Sequence, residues 1–173
     1  MNLKNFILPS VAVVLMTASA LWVAGYRINY SASLPKGIWQ VSKTPLPPKQ
    51  GEYVSFCPNN NVLSEDAYKL GYLKFGFCPG FYTPLLKQVA GVPGDLVETT
   101  SVVSINGTVV FNSGVKTSDS KGRKIPWKST NQILKDDQIF AMATMKENSF
   151  DSRYFGPVHL GQIIGTARPI WVW

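Results

Sequence analysis

Leu85-Leu86-Lys87-Gln88-Val89-Ala90-Gly91-Val92-Pro93-Gly94-Asp95-Leu96-Val97 is the stretch on which the reading of the fold turns. It reads as two apolar strands on either side of a Pro-Gly-Asp turn. Proline presets φ, glycine admits positive φ, and aspartate bonds its own backbone. One residue does not suit a plain core strand: Lys87 is a lone charge in a run of Leu, Val and Ala. Either it leaves a sheet edge for water, as edge lysines do, or it is desolvated. Desolvation lowers a lysine pKa toward the working pH and makes the amine a base. The local sequence leaves both readings open.

Outward from this stretch the chain stays β-like. On the C-terminal side, residues 102–111 carry Asn106-Gly107 between β-branched runs, a strong hairpin signal. The sequon Asn106-Gly107-Thr108 is explained by that turn. Residues 113–135 read as a polar loop, 138–145 as a strand, 147–156 as a loop rich in hydrogen-bonding groups, and 162–173 as one or two closing strands. On the N-terminal side, residues 37–42 and 52–56 read as strands joined by a stiff, proline-rich connection. The insert between Cys57 and Cys78 begins with a short helix expected over residues 63–70, N-capped by Ser64 and ended by Gly71. The fold class expected is mostly β, one domain over residues 27–173 behind an N-terminal segment, residues 1–26.

Composition narrows the chemistry. A chain of 173 residues suits one domain plus an anchor, and 45 % hydrophobic residues can build a core. The net charge of +7 is scattered, apart from Lys121-Gly122-Arg123-Lys124. That cluster reads as a solvated loop, with contact to anionic lipid as the second reading and nucleic acid not expected. The single histidine, His159, lies in a patterned structural run, which argues against a Ser-His-Asp triad. No His, Cys, Asp or Glu cluster has metal-ligand spacing, so neither a metal nor a cofactor is expected. Cys57 and Cys78 each precede proline and frame a loop of roughly 20 residues, whose closure would contribute about 3 kcal/mol. A disulfide there fits an oxidising compartment, and two unrelated buried thiols are the alternative.

Residues 7–23 are almost wholly apolar, with Lys4 ahead and Arg27 behind. The length lies at the lower limit for a bilayer span. An uncleaved anchor is the favoured reading. A cleaved signal peptide, with Ala18-Ser19-Ala20 as its site, is the rival. An uncleaved span would leave about eight residues before Ser33, a tether of at most ~30 Å, and so hold that serine near the membrane face. Ser33 lies in Tyr30-Ser31-Ala32-Ser33-Leu34-Pro35-Lys36-Gly37-Ile38-Trp39. Ser33-Leu34-Pro35-Lys36 matches the S-x-x-K of penicillin-binding proteins, but that pattern needs a helix, which Pro35 and Gly37 fit poorly.

Three segments, in order, resemble the boxes of the signal peptidase I (S26) family of membrane-bound Ser-Lys proteases. They are Ser31-Ala32-Ser33-Leu34-Pro35-Lys36-Gly37-Ile38-Trp39, Lys87-Gln88-Val89-Ala90-Gly91-Val92-Pro93-Gly94-Asp95 and Asn148-Ser149-Phe150-Asp151-Ser152-Arg153-Tyr154-Phe155-Gly156. Leu34-Pro35 brings the proline one place earlier than in ordinary leader peptidases, and Lys146-Glu147-Asn148 replaces their Gly-Asp-Asn. With the cysteine-framed insert, these departures look like the conjugative-transfer, TraF-type branch. The resemblance implies Ser33 as nucleophile and Lys87 as general base. It implies that Ser31 helps form the oxyanion hole with the Ser33 N–H, that Ser149 holds the lysine, and that Asp151 and Arg153 form a bracing ion pair. It further implies an endopeptidase of the bacterial inner membrane, its catalytic domain in the periplasm, acting on a precursor protein such as a conjugative pilin by hydrolysis or cyclisation. A general leader peptidase, a non-catalytic assembly protein of a conjugation apparatus and a self-cleaving repressor-type regulator are the alternatives.

Overall fold

The chain opens on helix α1 (Lys4–Val23), turns at Gly25 and enters a sheet through β1 (Tyr26–Asn29) and β2 (Gly37–Ser42). The structure is a computed structural model that describes residues 4–43, 45–59 and 61–173, with the side chains of α1 from residue 9 onward. The segment expected to span a membrane is thus helical. Among the described residues, however, no helix is long and apolar enough to cross a membrane. Helix α1 is 20 residues long. It carries Pro9, Ser10, Thr17 and Ser19.

The domain continues through β3 (Tyr53–Phe56), α2 (Val62–Lys69), β4 (Phe75–Cys78), β5 (Leu85–Gly91), β6 (Leu96–Thr99), β7 (Val103–Ile105), β8 (Thr108–Val109), β9 (Asn131–Ile133), β10 (Gln138–Met142), α3 (Ser152–Phe155), β11 (Val158–His159) and β12 (Ile163–Val172). Seven strands form one sheet in the order β1-β2-β12-β3-β5-β10-β11, and four form another, β8-β7-β6-β9. Every pairing is antiparallel. The Pro93-Gly94-Asp95 turn carries the chain from the large sheet to the small one and closes no hairpin. Gly94 sits at φ +90°, and the Asp95 carboxylate accepts the Val92 N–H at 2.8 Å. Asn106 and Gly107, at φ 51° and 77°, make the expected tight turn between β7 and β8.

Strand β5 is buried on both faces, which explains its unbroken apolar run. Val89 packs with Val54, Phe56, Ile139, Ala141 and Val158, while Ala90 faces Val97, Val103, Ile105, Phe140 and Met142 toward the small sheet. Full burial of side chains of this size stabilises the fold by about 1.5–3 kcal/mol each.

Three local details depart from the sequence reading. Helix α2 is capped by Asn61, whose side-chain Oδ1 accepts the Ser64 N–H at 3.0 Å. Ser64 itself lies inside the helix, buried. The polar stretch 113–135 contains β9, which pairs with β6 although its three side chains are exposed. The loop 147–156 contains α3, a single turn capped by the Asp151 carboxylate. Cys57 and Cys78 are joined by a disulfide, S–S 2.05 Å, that closes the insert. The core of the insert, Ala67, Leu73, Cys78 and Tyr82, packs against Phe150, the residue after Ser149.

Candidate active site

The loop carrying Ser31 and Ser33 lies between β1 (Tyr26–Asn29) and β2 (Gly37–Ser42). Leu34 anchors it in the core, 2 % exposed, beside Trp39 and Ala167. The Trp39 indole donates to the Pro35 carbonyl at 3.1 Å. Gly37 stands at φ +153°, and a Cβ there would strike the carbonyl of Trp171, so only glycine lets β2 pair with β12 at this point.

A residue that the sequence reading passed over holds the loop together. Asn29 Nδ2 lies within hydrogen-bond distance of the carbonyls of Ser31, Leu34 and Pro35 at 3.2, 3.2 and 3.0 Å. Its Oδ1 accepts the Ser31 N–H at 3.0 Å and the Ser31 hydroxyl at 2.8 Å. The signal was present: an Asn two residues before a serine is placed to accept that serine's N–H in an Asx-turn. Ser31 is exposed, and among the described hydrogen bonds its hydroxyl is directed at Asn29, not at Ser33.

Lys87 comes from the sheet. Strand β5 lies between β3 and β10, with Lys87 opposite Val54. An interior strand offers no edge for a lysine to leave by, and Lys87 is only 4 % exposed. Of the two readings left open by its sequence, the structure has the desolvated one. Burial pushes the Lys87 pKa down to about 8, against the raising effect of the Asp151 charge, with Arg153 adding to the lowering.

Ser149 joins the two halves. Lys87 Nζ is 2.6 Å from Ser149 Oγ, which lies 3.1 Å from Ser33 Oγ. Among the described hydrogen bonds, none links Ser33 to Lys87 directly. The polar path therefore runs Ser33–Ser149–Lys87, which makes Ser149 a bridge as well as a holder of the amine.

Behind Ser149 stands the pair of Asp151 and Arg153, both wholly buried. Arg153 Nε and an Nη donate to the two carboxylate oxygens of Asp151 at 2.8 and 2.9 Å. Asp151 also accepts the N–H groups of Ala143 and Arg153. The remaining guanidinium hydrogens reach the carbonyls of Asn112, Gly114, Lys146 and Ser149 at 3.3–3.4 Å. Burial alone would lower the Arg153 pKa, but the hydrogen bonds and charge of Asp151 outweigh it and raise the pKa. The pair thus fixes the backbone on which Ser149 rides. His159 lies on β11, at the opposite edge of the sheet from β1, and bonds Asp137 at 2.8 Å.

A hydroxyl, a bridging hydroxyl and a desolvated amine in a line suit activation of the first hydroxyl for attack on a carbonyl. Comparison with known proteins points to a family of peptidases. The family model described as signal peptidase, peptidase S26, matches residues 1–173. The conjugal transfer protein TraF of Agrobacterium fabrum is 38 % identical over 150 residues, 86 % of this chain and 84 % of that one. A plasmid transfer protein TraF of Escherichia coli is 37 % identical over 161 residues, covering 92 % and 90 %. Among solved structures, a signal peptidase I from Enterococcus faecalis aligns with a TM-score of 0.41 and 19 % identity, over 72 % of this chain and 98 % of that one.

Proposed function

The chain belongs to the peptidase S26 family of signal peptidases, among relatives of the TraF type, and from that premise we propose that it is a membrane-anchored serine endopeptidase working with a Ser-Lys dyad. Its substrate is a precursor protein of conjugative transfer, a pilin first of all. Its catalytic domain, residues 27–173, works in the periplasm at the face of the inner membrane, anchored by residues 1–26. The single observation behind this reading is the path from Ser33 through Ser149 to a buried Lys87.

The reaction follows from that path. Neutral Lys87 draws the proton of Ser33 across Ser149, and Ser33 Oγ attacks the substrate carbonyl. The oxyanion forms beside the Ser33 N–H. Ser31 reaches it once its hydroxyl turns away from Asn29. A fixed backbone donor such as the Ser33 N–H is worth about 3 kcal/mol in the transition state, and the exposed, rotatable Ser31 hydroxyl less. The tetrahedral intermediate collapses, the C–N bond breaks, and the Lys87 ammonium protonates the leaving amine. The resulting ester is released by water, or by the amine terminus of the same substrate, which would close a cyclic peptide. Support for an oxidising compartment comes from the Cys57–Cys78 bridge.

The test is processing of a pilin precursor in membranes by Ser33→Ala and Lys87→Met, made separately. Both should accumulate the precursor, and normal processing by either one overturns the dyad. Mass spectrometry of the product separates the two outcomes. A mass one water below the free chain marks cyclisation, and free termini mark hydrolysis.

A further inference from the structure

Ser149 is also a wall of a cavity. A space of ≈ 710 Å³ opens between the disulfide-closed insert, the strap of residues 116–125 and the segment carrying Ser149, Phe150 and Tyr154. Its floor is aromatic: Phe150 stacks on Tyr154 with centroids 5.7 Å apart and leans on Tyr72 at 5.8 Å. Its charge is one-sided. Lys74, Lys116, Lys121 and Arg123 line it, against a single carboxylate, Asp119.

That carboxylate is already engaged. It pairs with Arg123 at 2.7 Å, accepts the Tyr72 hydroxyl at 2.8 Å and caps the N–H groups of Lys121 and Arg123. Burial opposes its ionisation, but the bonds to Arg123 and Tyr72 outweigh this and hold Asp119 well below the usual carboxylate range. Lys116 leans on Glu147 at 3.4 Å and donates to Asn148. Lys74 and Lys121 have no ion-pair partner among the described residues and leave the cavity with uncompensated positive charge. A second cavity, ≈ 730 Å³, lies between α2 and residues 124–127 and contains neither Ser149 nor surplus cations on this scale.

We propose that the cavity beside Ser149 is a substrate subsite that takes a carboxylate-bearing segment of the precursor, with its aliphatic part over Phe150 and Tyr72 and its charge toward Lys74 and Lys121. A concave site with walls of one sign concentrates the opposite charge. The subsite rests on the peptidase reading, because it is Ser149 that joins it to the reacting serine. It would make the enzyme choose precursors that place an acidic side chain, or their own chain terminus, next to the cut.

Binding tests this without turnover. Full-length Ser33→Ala protein in detergent is titrated with the fluorescein-labelled hexapeptide Ala-Ala-Ala-Glu-Glu-Ala, its Gln-Gln counterpart, and both as C-terminal amides. Tighter binding of the glutamate amide than of the glutamine amide, by about tenfold at low salt, marks a side-chain carboxylate. Tighter binding of the glutamine acid than of its amide marks the terminus. Either difference should vanish in Lys74→Glu/Lys121→Glu and survive in Lys128→Glu, a lysine outside the cavity. Equal binding of all four peptides overturns the subsite, and so does a difference that persists in the double variant. Because no cleavage is read, a failed subsite and a failed dyad give separate results.

Discussion

The two halves of the site are built in opposite ways. The lysine half is sunk in the protein: Lys87 lies on an interior strand, and Asp151 and Arg153 are wholly buried. Every buried side-chain nitrogen or oxygen among the described residues has a hydrogen-bond partner. The serine half stands near the surface, with Ser31 exposed and Ser33 only partly covered, and hangs from the Asn29 amide, the Trp39 indole and one buried leucine. The difference follows from what each half must do. A lysine becomes a base only out of water, and there its neighbours must be fixed, because an unpaired polar group is costly. A nucleophile must meet an extended peptide, so it needs access and only enough bonding to hold its turn.

Substitutions should separate the halves. The largest effect on activity belongs to Lys87→Met, expected to lower turnover by at least about 10³-fold, as loss of a unit of a catalytic array does. The same variant should raise stability. The folded pKa of about 8 lies below the unfolded value of 10.5, so below pH 8, where both states are protonated, the folded chain carries the whole cost of a buried ammonium. That penalty, on the order of 3 kcal/mol, disappears with the amine. Denaturant melts at neutral pH check the sign. In the native protein the same linkage makes stability rise with pH between about 8 and 10.5.

Next comes Asp151→Asn, which leaves Arg153 buried without its counter-charge and should cost about 3–5 kcal/mol. It tests whether the lysine half is indeed the one that bears the stability. A cost under about 1 kcal/mol, the scale of an exposed pair, would remove the contrast. Asn29→Ala is the counterpart in the other half. It should lower kcat by roughly 10–100-fold, as misplacement of a reacting group does, with a smaller loss of stability than Asp151→Asn. Asn29→Asp keeps the acceptor for Ser31 but loses the donors to three carbonyls, and should recover only part of the activity. The smallest effect is expected from Ser31→Ala. A fall in kcat of about tenfold with unchanged KM would mark a donor used only in the transition state.

How much of this was legible in the sequence differs by region. The Asn106-Gly107 hairpin, strands β2, β3 and β12, and the lone Lys87 could all be read from local pattern. Whether Lys87 faced water or core could not, since that depends on pairing with β3 and β10, whose residues lie far off in sequence. Strand β9 escaped notice because its three side chains are all exposed and show no alternation. The α2 cap was assigned to Ser64 when Asn61, three residues earlier, was the better-placed acceptor. Asn29 was overlooked because a single amide carries no periodicity. Its role shows only when the turn it binds is folded.

The central claim is that Ser33 is activated by a neutral, desolvated Lys87. The most direct measurement is the rate at which a serine-directed acylating probe modifies Ser33, followed by mass spectrometry across pH in the native protein and in Lys87→Met. The rate should rise with pH through a midpoint near the Lys87 pKa of about 8 and be lost in the Met variant. A rate that is flat across that range, or one unchanged in Lys87→Met, would contradict it.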